Sequence, residues 1–86
     1  MNQDKYKLLC VQFPDHCALI HRLARENSNF NEIVQDYADV IDVLAKWRIS
    51  EDPFAESRIK EYRMLRKELE SEIEQFLLNA IKSALT

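Results

Sequence analysis

From Phe30 onward, apolar residues recur every three or four positions: Phe30, Ile33, Val34, Tyr37, Val40, Ile41, Leu44 and Trp47. That spacing marks a helix with one broad apolar face. Glu32, Asp36, Asp39 and Asp42 fall away from it. A second stripe follows at Ile59, Tyr62, Leu65, Leu69, Ile73, Phe76 and Ala80, and a shorter one precedes both at Phe13, Cys17, Ile20 and Ala24, flanked by Leu19 and Leu23. The pattern predicts an all-α chain forming a single domain. An N-terminal extension spans 1–12, and helices cover 13–26, 29–49 and 53–82.

Punctuation residues support these boundaries. Pro14 suits a helix's first turn, where its missing N–H costs nothing. The run Glu26–Asn29 ends the first stripe, because short polar side chains compete with the backbone for hydrogen bonds. Asn29 is the expected N-cap of the second helix, with Glu32 completing a capping-box-like pair. Pro53 pushes Asp52 out of helical conformation, which makes Asp52 the expected cap of the third helix.

The second and third helices, joined by a short turn, are expected to form a long antiparallel αα-hairpin. Folding at the minimal turn sets Leu44 against Arg58 and Ile59, Tyr37 against Leu65, and Ile33 against Leu69. The third helix, roughly 45 Å long at 1.5 Å per residue, outruns the second. The first helix or a second chain must cover its apolar end. One seam does not use all the apolar surface. Val34, Ile41, Trp47, Leu77 and Ile81 are the expected surplus, and contiguous exposed apolar surface marks an association site. The expectation is a homodimer forming a helical bundle, with room for an unidentified protein partner.

Composition sharpens this picture. The chain of 86 residues contains no glycine and two prolines. Tight hairpins and phosphate-cradling loops both rely on glycine, so β-rich folds and phosphate loops are disfavoured. A net charge of −3 argues against bulk nucleic-acid binding. One local basic stripe exists, Lys60, Arg63 and Lys67 on the third helix, and a nucleic-acid-associated regulator is the alternative reading it supports. Glu56 and Glu61 dilute it, and a solvated, salt-bridged helix face accounts for it more simply. Arg66 lies instead at the edge of the apolar face, where it would snorkel or pair with an acid across a seam. Asp36, Asp39, Asp42, Glu68, Glu70, Glu72 and Glu74 read as solubility and helix-pairing charges, since acid–base chemistry needs carboxylates held in a cleft. No secretory leader or membrane-length apolar run is visible, which makes a reduced, cytoplasmic protein the simplest expectation.

Candidate chemistry is confined to the N-terminal third. Cys17 and His21 stand four residues apart, a spacing that places two metal ligands on one helical face, with His16 and Cys10 nearby. No second paired motif accompanies them, and the competing reading makes Cys17 a small buried apolar residue. On a continuous helix, Cys10 and Cys17 would lie about 10 Å apart along the axis, beyond disulfide reach. A Cys/His nucleophile would need an oxyanion hole and a substrate pocket, for which the chain offers no obvious loop. The expectation is therefore a non-enzymatic protein with no catalytic residue and no cofactor, and metal binding through Cys17 and His21 is a further alternative.

The residues Phe13, Pro14, Asp15, Ile20, His21, Leu23, Asn27 and Phe30, followed by Ile33, Tyr37 and Leu44, resemble the small bacterial YdcH-like proteins. The shared pattern is Phe-Pro-acid, then Ile-His-x-Leu, then an Asn three residues before a Phe that opens a long helix. The likeness runs over about residues 13 to 75, and more loosely through "IKEYRMLRKELESEI". It implies a short helix followed by a helical hairpin in a cytoplasmic bacterial protein, and it implies no activity. His21 belongs to the pattern, whereas His16 and Cys17 do not. His21 also sits beside the apolar stripe of the first helix, and it is expected to make a structural hydrogen bond there, an acid on one of the longer helices being one candidate partner.

Overall fold

The computed structural model describes residues 3–85. Four α-helices pack against one another, with no strand among the described residues. They are α1 (Gln3–Gln12), α2 (Cys17–Glu26), α3 (Ser28–Arg48) and α4 (Ala55–Leu85), and a 3-10 turn (Pro14–His16) joins the first two. The molecule measures 52 × 25 × 21 Å.

The N-terminal extension is the first departure from expectation. Residues 3–12 form a helix, and Leu9 is fully buried in the core. Tyr6, Leu9 and Phe13 carry the weak three-and-four spacing that docks it. The Tyr6 hydroxyl also donates to Asn31 Oδ1 of α3 at 2.8 Å. Pro14 opens a 3-10 turn rather than the α-helix itself, so α2 begins at Cys17.

Asn27, not Asn29, caps α3. Its backbone is extended (φ −133°, ψ 108°), and its Oδ1 accepts the Phe30 N–H at 3.1 Å. Its own N–H donates to Leu23 O at 2.8 Å. A single residue therefore closes α2 and opens α3, so no linker separates them. At the other break, Asp52 Oδ1 accepts the Phe54 N–H at 2.8 Å and its carbonyl accepts the Ala55 N–H at 3.0 Å. Pro53 and Phe54 stay in this turn, and α4 starts at Ala55.

The core is a single cluster of Leu9, Ile20, Phe30, Val34, Tyr37, Val40, Leu44, Leu69, Ile73 and Leu77. All four helices contribute. Between α3 and α4, the Phe30 and Phe76 rings meet edge-on at 5.4 Å, and the Tyr37 hydroxyl donates to Glu70 Oε2 at 2.7 Å. Tyr37 thus reaches Glu70 instead of Leu65, which displaces the seam by about one helical turn along α4. Residues 49–54 make a longer connection than the minimal turn assumed, and the first turn of α4 shifts accordingly. Val34 and Leu77, expected as surplus surface, are consumed by this core at 0% and 2% exposure. The reason is that α1 and α2 contribute Leu9 and Ile20 to the same cluster, which covers Phe76 and Leu77 from within the chain and leaves Leu78 and Leu85 beyond them exposed.

Candidate functional site: the Cys10, Cys17 and His21 cluster

The turn at Pro14 decides the local chemistry. Proline cannot continue the backbone hydrogen-bond ladder, so the chain folds back between α1 and α2. Phe13 N–H still donates to Leu9 O at 2.7 Å, closing α1, and His16 N–H donates to Phe13 O at 3.1 Å within the turn. The result places Cys10, near the end of α1, beside Cys17 at the start of α2. Their Cα atoms are 4.8 Å apart and the two sulfurs form a disulfide. The expectation that these cysteines lie beyond disulfide reach is therefore wrong. It assumed one continuous helix, and the Pro14 turn removes that helix.

His21 follows Cys17 by one turn of α2. Its Nε2 lies 4.0 Å from Cys10 Sγ, and its ring packs against Tyr6 at 5.2 Å between centroids. His21 therefore faces α1, and its hydrogen-bonding contact is with Cys10 Sγ rather than with an acid on a longer helix. The Sγ atoms of Cys10 and Cys17 and a ring nitrogen of His21 all fall within 4.8 Å of one another. Both cysteines are half-buried and His21 is exposed. His16 sits in the 3-10 turn and is not a member of the cluster. A solvent-open groove runs over the site, lined by Tyr6, Lys7, Cys10, Cys17, His21, Ala24 and Arg25. Cys10 is the member that helical spacing alone could not place. The signal that could have found it is Pro14, standing midway between the two cysteines.

A second polar constellation ties α3 to α4. Glu70 Oε2 accepts the Tyr37 hydroxyl and lies 4.0 Å from Arg66 Nε on its own helix. At that distance Arg66 contributes charge rather than a hydrogen bond, and its Nε is buried without an acceptor in reach. Arg66 thus pairs with an acid one turn along α4, not across a seam. The Tyr37 phenol is raised well above its ordinary range, first by burial and then by the Glu70 carboxylate, with Arg66 opposing. Glu70 is accordingly an inward-facing anchor, whereas Asp36, Asp39, Asp42, Glu68, Glu72 and Glu74 are exposed.

The remaining candidates lie on the surface. Lys60, Arg63 and Lys67 are exposed along α4, and Lys60 and Arg63 flank a shallow groove with Glu56. Trp47, Ile41 and Ile81 are half-buried. Ile49 and Phe54, at either end of the α3–α4 connection, are 85% and 68% exposed. Among the described residues, no helix is long and apolar enough to cross a membrane. Comparison of the chain with protein families, with curated proteins and with solved structures finds no match.

Proposed function

We propose that this chain is a small non-enzymatic interaction protein, in which an antiparallel hairpin of α3 and α4, braced by α1 and α2, self-associates as a homodimer. The observation that carries the reading is the apolar tip of the α3–α4 pair. Half-buried Trp47 stands within a few residues of Ile49 and Phe54, both largely in solvent. Large apolar and aromatic side chains left open at one end of a helix pair are what a protein interface buries. Val34 and Leu77 drop out of the contact surface, and Ile41, Trp47 and Ile81 stay available to it. The likeness to YdcH-like proteins in residues 13–44 supports the same reading of a hairpin without catalytic equipment, and we propose that kinship on those residues. A cytoplasmic setting belongs to the proposal too. There the Cys10–Cys17 pair would spend its time as thiols.

The test is the oligomeric state of the full chain by light scattering at micromolar concentration. A dimer that becomes monomeric when Ile49 and Phe54 are both changed to Ser is the expected result. A monomeric wild-type chain would overturn the self-association.

A further inference from the structure

We infer that Cys10, Cys17 and His21 form a redox-gated site for a d10 metal ion of the zinc type, closed as a disulfide in the oxidised chain and opened as a two-thiolate, one-imidazole centre by reduction. The geometry comes from two helices and one turn. Cys17 and His21 are one turn apart on α2, so their relative placement is held by helix geometry. Cys10 comes from α1, which is docked by buried Leu9 and by the Tyr6–Asn31 hydrogen bond. The Pro14 turn then brings the third ligand to the other two, and all three ligand atoms fall within 4.8 Å.

Tetrahedral zinc, with metal–sulfur bonds of about 2.3 Å and metal–nitrogen bonds of about 2.0 Å, holds its ligand atoms roughly 3.5–3.8 Å apart. The His21 Nε2 to Cys10 Sγ distance of 4.0 Å is already close to that. The two sulfurs must part and the widest sulfur–imidazole separation, 4.8 Å, must close by about 1 Å, and side-chain rotation supplies both movements. The imidazole meets Tyr6 and Cys10 rather than any carboxylate. The groove over the cluster provides an entry path and a fourth coordination position open to water or to a small ligand. Lys7 and Arg25 also line that groove. Two thiolates offset the dication, so these cations border a neutral centre.

Reduction opens the site. A dithiol reductant attacks one sulfur of the Cys10–Cys17 bond through its thiolate. The other sulfur leaves with the electron pair and takes up a proton. The reductant's second thiol then closes its own disulfide and releases the first cysteine. Two electrons and two protons pass to the chain, and the reductant is oxidised. Zinc displaces the two thiol protons, so each ion bound releases two protons to solvent.

The experiment is anaerobic titration of the full chain with Co2+, then with Zn2+, in its reduced and oxidised forms. The reduced chain should bind one Co2+ per chain with a thiolate-to-metal charge-transfer band, and Zn2+ should bleach that band. Below the thiol pKa values, affinity should rise ~100-fold per pH unit, because two protons leave. The oxidised chain should show no band. His21→Ala, whose side chain is exposed, should keep its helical circular dichroism while binding about 100-fold more weakly. Cys10→Ser and Cys17→Ser should each lose stoichiometric binding. A reduced chain that takes up no stoichiometric metal would overturn the site. So would equal binding by the oxidised chain, unchanged affinity in His21→Ala, or one metal shared between two chains. None of these readouts depends on the dimer.

Discussion

At the scale of single residues, Tyr37 is the side chain on which a polar contact and the core coincide. Its ring is buried at 3% exposure, while its hydroxyl reaches Glu70 Oε2 at 2.7 Å. A hydrogen bond to a carboxylate contributes more than a neutral one, and removing the donor leaves the half-buried Glu70 with its nearest charge 4.0 Å away at Arg66. Tyr37→Phe should therefore cost about 1–2 kcal/mol in urea denaturation, with the helix content of the folded state unchanged. The same contact sets a pH dependence. The folded phenol titrates above its unfolded value, so its contribution is complete below about pH 10 and is lost as pH rises past that point. Alkaline destabilisation that is smaller in Tyr37→Phe than in wild type is the expected signature. Exposed pairs such as Asp42–Lys46 and Arg22–Glu26 are surface pairs one helical turn apart, which typically add only a few tenths of a kcal/mol.

At the scale of elements, the break between α2 and α3 rests on one residue. Asn27 accepts from Phe30 and donates to Leu23, so its side chain and backbone serve two helix ends at once. The Asn-x-x-Phe spacing that the sequence shows thus has a physical reading. It pairs an N-cap side chain with the backbone N–H of the third helical residue, whose ring then fills the core. Asn27→Ala should lower stability by about 1 kcal/mol, worth a drop of roughly 4–8 °C in Tm for a chain of this size, and Asn29→Ala should change little. The contrast between the two variants separates the observed cap from the one that spacing suggested. Glu32 favoured Asn29 by the capping-box rule. That rule counts residues and does not register where the preceding helix ends.

At the scale of the whole molecule, the N-terminal helices decide how much of the long pair is left open. Leu9 is fully buried, and with Ile20 it joins the cluster around Phe30, Ile73 and Leu77. Leu9→Ala should cost about 2–3 kcal/mol and release α1, read as faster amide exchange over residues 3–12 and weaker protection around Leu77. If α1 were a passive appendage, neither change would follow. A released α1 would also carry Cys10 away from His21, which links the core to the proposed metal centre.

Helical class and the approximate extents of the two long helices followed from the sequence by itself, because helix period and turn chemistry are local properties. Asp52 before Pro53 marked the entrance to α4 within two residues of where it starts. The helix over 3–12 stayed hidden because, among its described side chains, only Leu9 is fully buried, and one buried side chain makes no visible stripe. The α3–α4 register, the burial of Val34 and Leu77, and the pairing of Tyr37 with Glu70 were decided by tertiary structure, since each depends on which helices share a core. The cysteines show the division most plainly. Their spacing was legible, but their distance depended on whether the chain between them continues or turns. Pro14 turns it, and residues that a straight helix would hold about 10 Å apart become bonded neighbours beside His21.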